Sequence, residues 1–360
     1  MESLVNHNLD ELYRDKKVFV TGHTGFKGAW LITWLHSLGA KIRGYALAPQ
    51  HDRGIYNVIS GQVSHQSVIA NLLDRDRLQK EILDFEPDYI FHLAAQALVR
   101  KSYKMPADTF DVNVTGTAYL LESVVQLKNR CAVVIVTTDK VYENNESGQL
   151  YTETDRLGGY DPYSASKACV EILTASFNRS FFRNGDRANL DKKIVTARAG
   201  NVIGGGDWNS DRIVPDIIGH LENKESIIVR NPDSIRPWQH VLEPLGGYLI
   251  LGGALLKGIQ LDSEAFNFGP TADDHLTVSQ LVQEAIACWG SGDWQNHSDA
   301  SQPHEAGVLK LDITLAGQHL NWYPKLNSRE AIRWTLDWYK QHADNAYTYT
   351  LSQINSYQSL

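Results

Sequence analysis

Cysteine is scarce. Three thiols (Cys131, Cys169, Cys288) at wide spacing in 360 residues supply neither a disulfide framework nor a zinc-type cluster. Cys131 and Cys169 sit inside apolar runs, so buried free thiols and a reducing, cytoplasmic setting are expected. No stretch approaches the roughly 18 consecutive apolar residues of a membrane-spanning helix. The opening "MESLVNHNLDELYRDKK" has no apolar core, so no signal peptide is expected. Positive charge is also lacking. With 34 Lys+Arg against 42 Asp+Glu the net charge is −8, which argues against nucleic acid or an anionic membrane as the main partner. No solenoid-length repeat, low-complexity tract or metal-ligand spacing appears, so no metal site is expected. What is left is an ordinary globular composition, 42% apolar and 21% charged, long enough for one elaborate domain or two intimate ones.

Up to about residue 200, short β-rich runs alternate with helical patterns. Strands are expected at 16–22, 41–47, 67–73, 89–95, 132–139 and 193–204, and helices at 26–39, 74–86, 108–129 and 163–182. In the first helix Trp30, Trp34, Leu35 and Leu38 keep helical spacing until Gly39 stops it. Strands that are nearly all apolar, alternating with helices, predict a doubly wound parallel sheet with helices on both faces. Beyond residue 200 the rhythm loosens. "GNVIGGGDWNSDR" reads as a functional loop, "SIIVRN" and "AFNFGP" as short strands. Helices are expected over 278–290 and 328–345, the last with Ser328 as N-cap. These pieces predict a smaller C-terminal α/β lobe closing over the carboxyl edge of the sheet, where open α/β folds bind ligands.

Two motifs carry chemistry. "VFVTGHTGFKGAWL" places Gly22, Gly25 and Gly28 between the first strand and the first helix. Glycines there allow a tight turn and close approach to a pyrophosphate, and the helix N-terminus adds N–H donors and a favourable dipole. The acid that usually follows about 20 residues later, to read the adenosine ribose, is missing; the second strand ends "GYALAPQ", with Arg43 nearby. The residues alone therefore leave NAD and NADP both open. "DPYSASKACVEIL" sets Tyr163 and Lys167 four apart on one helical face. A free tyrosine ionises near pH ~10, so a neighbouring cation is needed to bring it into use as a base. Upstream, "VTTDKVY" ends a core strand with two threonines, an acid and a base.

Together, Thr21-Gly-x-x-Gly-x-x-Gly28, His92-Leu-Ala-Ala95, Asn113-x-x-Gly-Thr117, Tyr163-x-x-x-Lys167 and Asn201 in "AGNVIG" resemble the extended short-chain dehydrogenase/reductases over nearly the whole chain. Within that family "TTDKVY", "GHTGFKG", "AGNVIGGGDW", "DRIVPD" and "RPWQHVLEPL" are similar to the sugar 4,6-dehydratases that act on CDP-glucose. The resemblance implies a Rossmann domain over 1–200, with 236–262 contributing, and a substrate lobe from 201–235 and 263–360. It implies NAD, held by Thr21, Gly22, Thr24, Gly25, Phe26 and Gly28 at the pyrophosphate. Asn71 and Leu72 fall at the adenine, and Ala94, Ala95 and Gln96 on the path to the nicotinamide.

The implied reaction oxidises C4 of the glucosyl unit, eliminates water across C5 and C6, and returns hydride to C6. Tyr163 serves as base, tuned by Lys167, and Thr138 hydrogen-bonds the C4 oxygen. Asp139 protonates the departing C6 hydroxyl. Relatives carry glutamate next, as the base for the C5 proton; here Lys140 stands instead, expected neutral or sharing a proton. Asn201, Arg212 and Arg236 fall where relatives contact the sugar-nucleotide diphosphate, a surface ion pair being the structural alternative for each arginine. The tryptophans are expected to pack the core, with Trp208 and Trp238 the exceptions to test for stacking on the base. The helices at 108–129 and 162–182 are the family's dimer contacts, so a homodimer or homotetramer is expected. A dehydratase or epimerase for another nucleotide sugar and a non-catalytic NAD-binding regulator remain the alternatives; Asp139 opposes the epimerase, and intact Thr138, Tyr163 and Lys167 oppose the regulator.

Overall fold

The computed structural model describes residues 8–144, 148–182, 192–209, 212–298 and 309–360. Its centre is a seven-stranded sheet of β1 Lys17–Thr21, β2 Lys41–Ala46, β3 Gln66–Ile69, β4 Tyr89–His92, β5 Cys131–Val136, β6 Lys192–Ala199 and β7 Ala265–Phe268. The spatial order is β7-β6-β5-β4-β1-β2-β3 and every pairing is parallel. β4 and β5 are buried at every residue, as strands covered on both faces must be. The helices that position the site are α1 Phe26–Ser37, α2 Arg75–Phe85, α3 Gly116–Gln126, α4 Pro162–Phe177, α5 Ile213–Asn223, α6 Leu242–Lys257, α7 Val278–Trp289 and α8 Ser328–Ser359. One apolar layer joins Trp30, Trp34 and Leu35 of α1 to Leu245 and Leu249 of α6 and Leu336 of α8. The other packs Leu78 and Ile82 of α2, Leu120 and Val124 of α3 and Val170 of α4 on Phe19, Ile90 and Val133. The chain runs outward from β1 to β3, then jumps back to β4 beside β1, with Thr21 opposite His92 at the strand ends. That reversal opens the crevice in which such sheets bind ligands.

Several elements differ from the sequence reading. The helix expected at 108–129 is interrupted by a π turn at Asp111–Thr115, where Asn113 turns inward to bond the backbone N and O of Gln96 and the Ser166 hydroxyl. The helix expected to reach 182 likewise becomes a π turn at Asn178–Phe182, where Asn178 donates to the Ile194 carbonyl. The strand expected at 67–73 ends at Ile69, because the Asn71 side chain accepts from Leu73 N and makes a turn. The N-cap of α8 is Asn327, in a reciprocal capping box with Glu330; Ser328 N is taken by Asp274. α8 also continues past a kink at Asn345 to Ser359. β7 completes the sheet beside β6, and α8 brings Tyr357 against Trp34 of α1 at 5.7 Å between rings. A boundary at 263 therefore does not follow the sheet. Cys131 is buried, whereas Cys169 is only half-buried.

Candidate active site

The glycine loop leaves β1 at Gly22, whose φ of +76° is open to glycine and strained for other residues. A Cβ on Gly22 would lie 2.8 Å from the Ala94 backbone N, and one on Gly28 2.1 Å from the Gly22 carbonyl O. α1 starts at Phe26 with Gly25 as N-cap and no side chain capping its first N–H groups. Free donors, the positive end of the helix dipole and a backbone bare of Cβ atoms make a cradle for a pyrophosphate. Thr24 braces the loop by donating to the Leu47 carbonyl at 2.8 Å. Thr21 is fully buried, 2.8 Å from His92 Nδ1 and accepting from Ala94 N at 3.1 Å. Its hydroxyl ties the end of β1 to the end of β4.

The end of β5 is held from below. Arg198 and Glu171, each 4% exposed, pair at 2.8 Å. Glu171 also accepts from Thr137 at 2.5 Å and Thr196 at 2.6 Å, while Arg198 donates to the Tyr142 hydroxyl at 2.8 Å. One buried ion pair thus pins Thr137 and Tyr142, the two ends of "TTDKVY", and leaves Thr138, Asp139 and Lys140 lining the cavity between them. Asp139 is 1% exposed. Its Oδ1 accepts from Thr138 Oγ1 at 2.9 Å and lies 3.5 Å from Lys140 Nζ; its Oδ2 is buried with no hydrogen-bond partner and rests on Gly200.

α4 is capped by Asp161, which accepts from Ser164 N at 3.0 Å, and carries Tyr163 and Lys167 into the same space. Tyr163 is hydrogen-bonded to Thr138, and burial pushes its phenol up to about 12 against the lowering pull of that bond. Lys167 donates to the Val136 carbonyl at 2.9 Å; burial brings it down to about 8, against the raising pull of Glu171. In the protein alone burial therefore outweighs the expected depression of the Tyr163 phenol.

Thr138, Asp139, Lys140, Tyr163 and Lys167 all border one cavity of about 1050 Å³. Gly22, Thr24, Gly25, Phe26 and Gly28 line it, as do Asn71, Leu72, Ala94, Ala95 and Gln96. Asn201, Trp208, Arg212, Arg236 and Trp238 line it too. Arg212 is paired with Asp207 at 2.7 Å, so the ion pair and the cavity position coexist. Trp208 carries the Arg53 guanidinium 3.8 Å over its ring. Sequence reasoning missed Lys27, which also lines the cavity. The available signal was a lysine inside an otherwise apolar first turn of a helix packed on the sheet.

A family profile described as the NAD dependent epimerase/dehydratase family matches residues 18–251. The chain belongs to that family. It is 43% identical over 333 residues to CDP-glucose 4,6-dehydratase of Salmonella typhimurium, covering 91% of each chain. Among solved structures, UDP-glucose 4-epimerase from Stenotrophomonas maltophila with bound NAD aligns at a TM-score of 0.79 and 21% identity, covering 91% of this chain and 99% of that one. dTDP-glucose 4,6-dehydratase from Bacillus anthracis in complex with NAD aligns at 0.75 and 19% identity, covering 92% and 98%. NAD is accordingly the cofactor of this family member, and the bare loop at Gly22–Gly28 suits its pyrophosphate. Among the described residues no helix is long and apolar enough to cross a membrane, and no His, Cys, Asp or Glu cluster is arranged to hold a metal.

Proposed function

We propose that this protein converts CDP-glucose to CDP-4-dehydro-6-deoxyglucose and water. The observation that carries the reading is a buried carboxyl, Asp139, with one unpartnered oxygen beside the Thr138–Tyr163 pair. Epimerisation at C4 needs the tyrosine and the hydroxyl but has no use for that acid. The 43% identity to a CDP-glucose 4,6-dehydratase supports the same substrate. Bound NAD+ takes hydride from C4 and gives it back at C6. Tyr163 takes the C4 hydroxyl proton, with Thr138 holding the C4 oxygen and Lys167 supplying the nearby cation. The ketone made at C4 acidifies the C5 proton. Asp139 then protonates the C6 hydroxyl as it leaves. Asn201, Arg212 and Arg236 hold the diphosphate, where the planar guanidinium grips phosphate oxygens in pairs.

Mass spectrometry of the protein incubated with NAD+ and, separately, CDP-, dTDP-, GDP- and UDP-sugars tests this. Loss of one water from CDP-glucose is expected. Loss from another nucleotide alone corrects the substrate, and no mass change in any tube sinks the dehydration. We also infer a homodimer through the helices near 108–126 and 162–182, which expose Phe110, Ile172 and Phe181. Light scattering at the monomer mass would refute it.

A further inference from the structure

Lys27 has no role in the reaction as written. It is the second residue of α1, just inside the glycine loop. Helix N-termini favour anions, and a cation at this position is opposed by the helix dipole. The side chain borders the cavity, with Nζ 5.8 Å from the centre of the Tyr248 ring and, among the described residues, no carboxylate within 4 Å. Charged groups act on it from three other elements: Arg212 before α5, Asp139 after β5 and Lys167 on α4. Burial lowers its amine to about 7, helped by Arg212 and Lys167 and opposed by Asp139. The amine thus shares one cavity with Asp139, Tyr163 and Lys167, and in the protein alone burial favours its neutral form. Lys140 is placed differently. Its side chain is 33% exposed and its amine is in contact with Asp139 Oδ1 at 3.5 Å.

We propose that Lys27 removes the C5 proton during the elimination. The inference rests on the dehydration proposed above. The Lys27 Nζ lone pair accepts the proton, and the C5–H electron pair moves into the C4 carbonyl as an enolate. The enolate expels the C6 hydroxyl with the proton given by Asp139, so water leaves and a C5–C6 double bond remains conjugated to the restored C4 ketone. When hydride is returned at C6, the electron pair placed on C5 takes the proton back from the Lys27 ammonium. Asp139 recovers its proton from the one that Tyr163 took at C4, and every group ends as it began.

The test uses the NAD-loaded protein with Lys27→Met and Lys27→Arg. Mixed with CDP-glucose, both variants are expected to build up absorbance at 340 nm from C4 oxidation while water loss falls at least about 100-fold. Given the 4-keto-6-deoxy product in D2O, the wild type is expected to wash deuterium into C5 and both variants to stay at background. Lys27→Arg is the deciding arm, since a guanidinium keeps the charge but not the lone pair. Near-normal water loss by Lys27→Arg would mean that only the charge matters and overturns the base. Undiminished C5 exchange in Lys27→Met, with exchange lost in Lys140→Met, assigns the base to Lys140 instead. Loss of NAD binding by Lys27→Arg without C5 exchange into supplied product being affected would also overturn it. Absence of water loss from CDP-glucose in the wild type itself sinks the dehydration and the base with it, a result separate from failure of the variants alone.

Discussion

Gly200 follows the last residue of β6 and sits directly against the carboxyl of Asp139. A Cβ at Gly200 would fall 2.5 Å from Asp139 Oδ2 and 2.9 Å from its Cγ. Ordinary contacts begin at 3.4 Å, so Gly200→Ala must displace the carboxyl by about 1 Å. Asp139 has little room to yield, because its other oxygen is tied to Thr138 at 2.9 Å and the residue is 1% exposed. A displacement of about 1 Å in a reacting group costs on the order of 100-fold in rate, or about 2.7 kcal/mol of barrier. Gly200→Ala is therefore expected to cut kcat for water loss about 100-fold. NAD binding by fluorescence titration should be unchanged, since the three atoms nearest the new methyl all belong to Asp139. Bound NADH should still form on mixing with CDP-glucose, because C4 oxidation uses Tyr163 and Thr138. Asp139→Asn, which keeps the shape and removes the acid, should show the same pattern with a loss of about 10²–10⁴-fold. A kcat for Gly200→Ala within threefold of wild type, with the fold intact by circular dichroism, refutes the assignment of Asp139 as the acid held by that contact.

Three other outcomes follow from the same geometry. Tyr163→Phe should abolish turnover and NADH formation while leaving NAD affinity nearly unchanged; measurable C4 oxidation in the variant contradicts the role of the phenol. Gly28→Ala, with its Cβ 2.1 Å from Gly22 O, should lose NAD binding by calorimetry, and wild-type affinity there would mean the loop does not cradle the pyrophosphate. Glu243 on α6 is raised to about 7 by burial, against its hydrogen bonds to Leu326 N and Tyr357. A raised carboxyl binds its proton more tightly in the folded state, so its contribution is full below the ordinary carboxylate range and is lost as pH rises through about 7. The melting temperature of the wild type should thus fall from pH 5 to pH 8 more than that of Glu243→Gln; parallel curves remove Glu243 as the titrating anchor.

What could be read from the chain was local. A glycine loop is one strand, one turn and one helix, and Tyr163 and Lys167 are one helical turn apart, so each motif contains its own geometry. The parallel sheet was legible for the same reason, since strands buried on both faces show it in their own composition. The partner of the Thr21 hydroxyl was not legible, because His92 is 71 positions away and only the β1–β4 pairing brings the two together. β7 was given to the lobe because nothing within "AFNFGP" says which sheet edge it will join. The π turns escaped notice because Asn113 and Asn178 are ordinary helix residues until the carbonyls and hydroxyls of distant segments come within reach.

Lys27 differs from these, because its signal was local and ran against the rules. Helix starts prefer acids, packed helix faces prefer apolar residues, and a lysine in this first turn offends both preferences. Departures of this kind concentrate where function outweighs stability. The fold supplies the reason the departure is tolerated: α1 begins at the crevice, so a long side chain leaving its first turn enters the cavity instead of the core. The glycine loop that leaves the first N–H groups of α1 free for a pyrophosphate therefore also sends an amine, from the same seven residues, into the cavity that Asp139 lines.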